Sequence, residues 1–178
     1  LIIYKIYILI NIMAKNITYE KLDPIDHIHH RPDMYVGSCR PTKQDWEWCY
    51  DNNNIKKIYN VTYSDAFLRI FIEALSNAID NVFRSEDTKT PVKNIKVNMN
   101  KETGEISIFN DGLGIPIKKN EKHDIYNPDL IFGHLLTGSN YNDSENRYTS
   151  GRNGLGIKLT NVFSTEFKIE ICDTEKIY

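Results

Sequence analysis

The sequence predicts an α+β domain of two layers, with helices on one face of a mixed, largely antiparallel sheet. Three observations predict it. Residues 64–84 have helical periodicity: at about 100° per residue, Phe67, Phe71, Ala74, Leu75, Ala78 and Val82 share one face, with Glu73, Asn77, Asp80 and Asn81 roughly opposite. Residues 94–100 and 105–109 alternate apolar and polar around Lys101-Glu-Thr-Gly104, the pattern of a β-hairpin with one face on a core. Residues 165–171 repeat that alternation as a final strand. A sheet with one apolar face needs a covering layer, which the helices carrying Glu73 and Lys158 would supply.

Composition sets the bounds. A chain of 178 residues, 40% hydrophobic and 26% charged, is one domain or part of one and is long enough to bury a core. A net charge of −2 gives this piece no electrostatic grip on nucleic acid, so a DNA partner would be held elsewhere. Three cysteines, Cys39, Cys49 and Cys172, without CxxC spacing indicate neither a disulfide framework nor a zinc site, and free thiols are expected. Residues 1–12 are apolar but shorter than the ~20 residues that span a bilayer, and they lack the basic start and small-residue cleavage site of a signal peptide. They read as translated upstream sequence ahead of Met13-Ala-Lys-Asn16, with an edge strand as the other reading.

In chain order, residues 17–28 read as a polar, extended lead. His27, His29 and His30 read as a surface cluster, because no Cys or carboxylate spacing completes a metal site. Residues 31–38, Arg-Pro-Asp-Met-Tyr-Val-Gly-Ser, mix turn formers with apolar anchors, as an ordered loop does. Residues 41–60 read as an irregular connection or a short hairpin. Along residues 67–75 the helix flank is almost continuously apolar, which predicts burial against the sheet. The opposite face holds a carboxylate followed by carboxamides, with no lysine to form the usual i,i+4 pair. Such a face is either solvated or a site that holds a water and a hard cation.

The second hairpin strand runs into Asn110-Asp-Gly-Leu-Gly-Ile-Pro116, where glycines would let a ligand approach the backbone. A short helix follows at 130–136, then a polar stretch at 138–148 suited to a lid. Gly151-Arg-Asn-Gly154-Leu-Gly156-Ile-Lys158 leads into a helix, offering backbone N–H groups to an anion with Lys158 adding charge. It is neither a Walker A loop nor a Rossmann fingerprint.

Taken together and in this order, these stretches resemble the GHKL (Bergerat) ATPases, the fold shared by gyrase-type topoisomerases, a heat-shock chaperone family, histidine kinases and mismatch-repair ATPases. Residues 31–38, 128–133, 135–141, 151–156 and 161–165 are most similar to the N-terminal ATPase domain of eukaryotic-type type II DNA topoisomerases. The resemblance runs from about Tyr19 to the C-terminus. It implies that residues 13–178 are a partial GHKL ATPase domain, its sheet incomplete at the C-terminus, and that Glu73 is the general base for the water attacking the γ-phosphate of ATP. It implies that Asn77 holds magnesium, that Asn81 lies near the nucleotide, and that Asn110 reaches toward the adenine. Ser139 and Asn140 would contact ribose or phosphates, and Gly151, Arg152, Asn153, Gly154, Leu155, Gly156, Ile157 and Lys158 would wrap the phosphates. Tyr19 would reach the partner subunit's nucleotide from an N-terminal strap.

The sequence departs from the family at Gly138 (commonly serine), Ser150 (glycine), Ile157 (alanine) and Ile72 (often acidic). Ile157 puts the geometry of the phosphate loop in question. The lysine that reaches the γ-phosphate in this family lies on a later domain, so the chain is expected to be a fragment. The resemblance further implies a homodimer acting on double-stranded DNA, with no membrane partner. The setting would be the nucleus for a cellular source, or a viral replication site for a large DNA virus. Two other readings stay open: a non-catalytic nucleotide-binding or dimerisation fragment, and a chaperone-type GHKL ATPase.

Overall fold

The computed structural model of the chain describes residues 18–138 and 153–178. The leader at 1–12, Ser139, Asn140, Gly151, Arg152 and most of the expected lid lie outside the described residues.

The first element is a short helix, α1 (Pro24–His30), where the sequence reading has extended chain. Its start is locally encoded: Asp23 Oδ1 accepts from the Ile25 N–H at 2.9 Å, and Pro24 takes a position whose N–H would otherwise be unpaired. His27 is half-buried and bonded to the Tyr35 hydroxyl at 2.8 Å, while His29 and His30 are exposed. A 3₁₀ turn at Pro32–Met34 then carries Val36 into the core.

Residues 41–60 belong to a long hairpin, neither irregular nor short. β1 (Thr42–Asp51) pairs antiparallel with β2 (Asn54–Tyr63), with Asp51 opposite Asn54. Asn52 and Asn53 make the two-residue turn with φ of +48° and +63°, a conformation that asparagine tolerates and that matches strand twist. One face of this ribbon presents Trp46, Trp48, Tyr50, Ile55 and Tyr59 to solvent, with the Lys57 ammonium 4.0 Å from the Trp46 ring centroid.

α2 (Asp65–Ser85) is the long helix that the periodicity predicts. Ser64 caps it, accepting from the Phe67 N–H while donating to the Ser38 carbonyl at 3.0 Å. Its predicted apolar face is largely covered: Ala78 is buried and Phe71, Ala74, Leu75 and Val82 are half-buried, with Phe67 55% exposed. A separate apolar strip, Leu68, Ile72, Ile79 and Phe83, stands open to solvent. The arc that turns inward carries Ala66, Glu73, Asn77, Ala78, Asp80 and Asn81.

β3 (Ile95–Met99) and β4 (Ile106–Asn110) form the expected hairpin, with Val97 opposite Ile108 and Met99 opposite Ile106. Gly104 closes the turn at φ +74°. Among the described residues the strands form two separate two-stranded antiparallel sheets. The expected strand at 165–171 is corrected: it keeps its alternation, with Phe167, Ile169 and Ile171 half-buried, but joins no ladder. Its end instead turns back on itself, Ile171 and Tyr178 exchanging backbone hydrogen bonds of 2.9 and 3.0 Å. Alternation reports which side chains face inward; only a neighbouring strand makes a ladder.

α3 (Asn127–Gly133) starts three residues before the predicted helix, with proline in its first turn. α4 (Gly156–Val162) follows the glycine loop as predicted. The core gathers Ile28, Val36, Ala66 and Leu159, so α1, the 3₁₀ turn, the start of α2 and α4 share one apolar centre. The Thr160 hydroxyl donates to the Ile70 carbonyl at 2.8 Å and the Asn161 amide to the Phe132 carbonyl at 3.2 Å, fixing α4 against α2 and α3. No helix among the described residues is long and apolar enough to cross a membrane.

Candidate functional site

The site grows from the inward arc of α2. At a rise of about 1.5 Å per residue, positions 73, 77 and 81 stack along one line of the helix. Glu73 is seated between two elements. Its Oε1 pairs with Arg69 one turn earlier, Nη2 to Oε1 2.7 Å. Its Oε2 lies against the start of α4, where a Cβ on Gly156 would fall 2.0 Å away. Glycine at 156 is therefore what lets the α2 carboxylate touch the α4 backbone. The sequence reading finds no lysine partner for this face and overlooks Arg69 at i−4, a signal the helical spacing carried.

Asn77 donates its Nδ2 to the Glu73 carbonyl at 2.6 Å, which fixes the amide and orients Oδ1 away from the helix backbone. Asn81 reaches across to the second hairpin, its Nδ2 donating to Asn110 Oδ1 at 2.8 Å and to the Leu113 carbonyl at 3.1 Å. A Cβ at Gly112 would fall 2.2 Å from Val92 Cγ2 and 3.2 Å from Asn81 Nδ2, so this glycine too is set by close approach. The neighbouring Asp111 accepts from the Lys93 and Asn94 N–H groups and from the Asn94 side chain. Those donors, the Asn94 side chain first, hold its carboxyl down to about 2 and pin the start of β3 to the end of β4.

Three stretches far apart in sequence thus meet: α2 with Glu73, Asn77 and Asn81; the end of β4 with Asn110; and the start of α4 with Gly156. Gly154 has φ +63°, and its carbonyl accepts from the Leu136 N–H at 3.0 Å, tying the glycine loop to the residues after α3. Asn153 is exposed and Leu155 half-buried beside the core. Ile157, the departure from alanine, is only 8% exposed, so its extra bulk points into the protein and α4 forms normally around it. Lys158 differs from the expectation of added charge at an anion cradle. Its side chain is buried and its Nζ donates to the Thr137 carbonyl at 2.6 Å. Burial pushes its pKa down to about 8. Tyr19, 75% exposed, belongs to none of these elements.

Around Asn77 the donors are one carboxamide oxygen with the Glu73 carboxylate a turn away, and no cluster of three or more His, Cys, Asp or Glu forms among the described residues. That set does not make an all-protein cage. It fits a hard octahedral cation such as magnesium, which keeps several waters and takes substrate phosphate oxygens.

Residues 62–175 match the family described as histidine kinase-, DNA gyrase B-, and HSP90-like ATPase. The DNA topoisomerase 2 of Candida albicans is 45% identical over 157 residues, 88% of this chain and 10% of its own length. That of Saccharomyces cerevisiae is 46% identical over 158 residues, 87% of this chain and 11% of its own. The crystal structure of the ATPase region of Saccharomyces cerevisiae topoisomerase II superposes with a TM-score of 0.75 at 46% identity, covering 83% of this chain and 38% of that one. The chain spans about a tenth of the length of the curated relatives it matches.

Proposed function

This chain belongs to the histidine kinase-, DNA gyrase B- and HSP90-like ATPase family, and we propose that it is the ATP-operated clamp of a type II DNA topoisomerase. The observation that carries the reading is the meeting of Glu73, Asn77 and Asn81 on α2 with Asn110 at the end of β4 and Gly156 at the start of α4. The similarity to DNA topoisomerase 2 from several organisms supports the assignment within the family.

In this reading ATP lies along the inward arc of α2, its adenine toward Asn110 and Asn81. Its phosphates lie toward Gly151 through Lys158, and Ser139 and Asn140 contact ribose or phosphate. Glu73 orients a water and takes its proton as the water oxygen bonds to the γ-phosphorus. The bond to the bridging oxygen then breaks, leaving ADP and phosphate. Little covalent work falls to the protein; positioning and charge stabilisation do most of it. Magnesium bound with the nucleotide would be held through Asn77 Oδ1 and would neutralise phosphate charge. Lys158 contributes by fastening the glycine-loop helix to Thr137. Tyr19 reaches the nucleotide of the partner subunit, and ATP-driven closure of two copies traps a DNA duplex for passage. With a net charge of −2, this domain leaves the grip on DNA to other parts of the protein.

The test is ATPase activity of the full-length protein with and without double-stranded DNA. Stimulation by DNA, together with ATP-dependent relaxation of supercoiled plasmid, is the expected result. ATP hydrolysis indifferent to DNA, with no change in plasmid topology, would overturn the assignment.

A further inference from the structure

We infer that Arg69 is a positioning residue for Glu73, holding the carboxylate of the hydrolytic base at the angle its chemistry requires. The inference rests on reading Glu73 as the base. Arg69 Nη2 lies 2.7 Å from Glu73 Oε1, and the other carboxylate oxygen abuts the backbone at Gly156. Oε1 is therefore ion-paired to the preceding turn of α2, while Oε2 occupies the space that a Cβ at Gly156 would fill. A carboxylate paired at one oxygen and confined at the other has fewer rotamers than one released from Arg69, and only some of those address the space beside the glycine loop.

The alternative is an ordinary surface ion pair that supports the helix. Two observations argue against it. The favourable order for helix support puts the acid four residues before the base, whereas here Arg69 precedes Glu73. The pair is also lopsided in burial, the arginine side chain 58% exposed and the glutamate 20%. An exposed guanidinium is screened by solvent and adds little to stability. What it does at this place is set the direction of a partly buried acid. Misplacing a reacting group by about 1 Å costs about 100-fold in rate, so direction matters here more than binding energy.

The experiment compares Arg69→Ala, Arg69→Lys, Glu73→Gln and the double variant Arg69→Ala/Glu73→Gln in the full-length protein. It reads kcat and KM for ATP, with nucleotide affinity measured separately as a check on folding. Arg69→Ala should lower kcat by about 10- to 100-fold with KM and affinity nearly unchanged, and Arg69→Lys should recover most of the loss. In the Glu73→Gln background, Arg69→Ala should lower the residual turnover no further, because residues that act through one another are not additive. Wild-type kcat in Arg69→Ala beside a crippled Glu73→Gln overturns the role of Arg69 alone. So does an equal fold-loss on both backgrounds, or a loss of affinity in step with turnover. Wild-type turnover in Glu73→Gln overturns the reading of Glu73 itself, and is distinguishable for that reason.

Discussion

Gly156 and Lys158 sit two residues apart and do opposite things. Gly156 is defined by what it lacks, since a Cβ there would fall on Glu73 Oε2. Gly156 opens α4, where the Gly-to-Ala preference of about 1 kcal/mol in a helix interior counts for little, so Gly156→Ala should leave thermal stability nearly unchanged while displacing Glu73 and lowering ATP turnover about 10- to 100-fold. Melting temperature measured beside kcat checks this split; a loss of both in step would mean that α4 itself had failed. Lys158 is a buried cation, and burial lowers its pKa from 10.5 to about 8. Between about pH 8 and 10.5 the unfolded chain holds a proton that the folded chain has released, so folding stability contributed by this residue rises with pH across that window. Below pH 8 the cost of burying the charge is fully present. Lys158→Met, which keeps the length and removes the charge, should flatten the stability-versus-pH curve between pH 8 and 10.5. Denaturant titrations at pH 7, 9 and 10 would show it, and an unchanged slope would contradict it. The carboxylate and carboxamides of α2 could be read from sequence because their spacing of four places them on one line. Arg69, the partner of Glu73, was legible too, at i−4 on the same helix; the Lys158 bond to the Thr137 carbonyl was not, because it depends on rotamer and fold.

At the scale of elements, the join between α2 and the second hairpin rests on side-chain bonds to backbone. Ser85 has no exposed surface; its hydroxyl donates to the Asn81 carbonyl at 2.7 Å and accepts from the Val92 N–H at 2.9 Å. Ser85→Ala leaves a buried N–H without its acceptor and should cost about 1–3 kcal/mol, read as a lower denaturation midpoint at unchanged slope. Nothing in the pattern around Ser85 singled it out; a serine near a helix end reads as an ordinary C-terminal residue. The hairpin of β3 and β4 was legible because alternation and a glycine turn are both local. The hairpin of β1 and β2 is one of the two readings its stretch allows, longer than that reading has it; its local signal is Asn52 and Asn53, which take positive φ between strands whose aromatic residues alternate. Residues 165–171 mislead in the other direction, because alternation there marks half-burial without a strand partner. Helix α2 is legible in part: its periodicity picks out Phe71, Ala74, Leu75, Ala78 and Val82, which are covered, and says nothing of the Leu68, Ile72, Ile79 and Phe83 strip left open.

For the whole molecule, the fold leaves a strip of Leu68, Ile72, Ile79 and Phe83 exposed on α2, with Phe67 exposed on another side, besides Val97 and Met99 on one face of the second hairpin and Phe109 on the other. Exposed apolar area of this extent favours association in water. The 178-residue chain should therefore self-associate as its concentration rises and bind a hydrophobic dye, and Phe67→Ser/Phe83→Ser should weaken both. Sedimentation of the two proteins over a tenfold concentration range would test it; a concentration-independent monomer with no dye binding would contradict it. We propose that the inward arc of α2 is a hydrolytic site. The direct test is ATP affinity measured beside steady-state turnover for Glu73→Gln and Asn77→Ala in the full-length protein. Glutamine keeps the shape of the side chain but cannot take the water's proton, so Glu73→Gln should bind ATP normally and hydrolyse it about 10²- to 10⁴-fold more slowly. Asn77→Ala removes the amide oxygen offered to magnesium, so affinity and turnover should fall together. Wild-type hydrolysis by Glu73→Gln would contradict the account and leave that face of α2 a structural one.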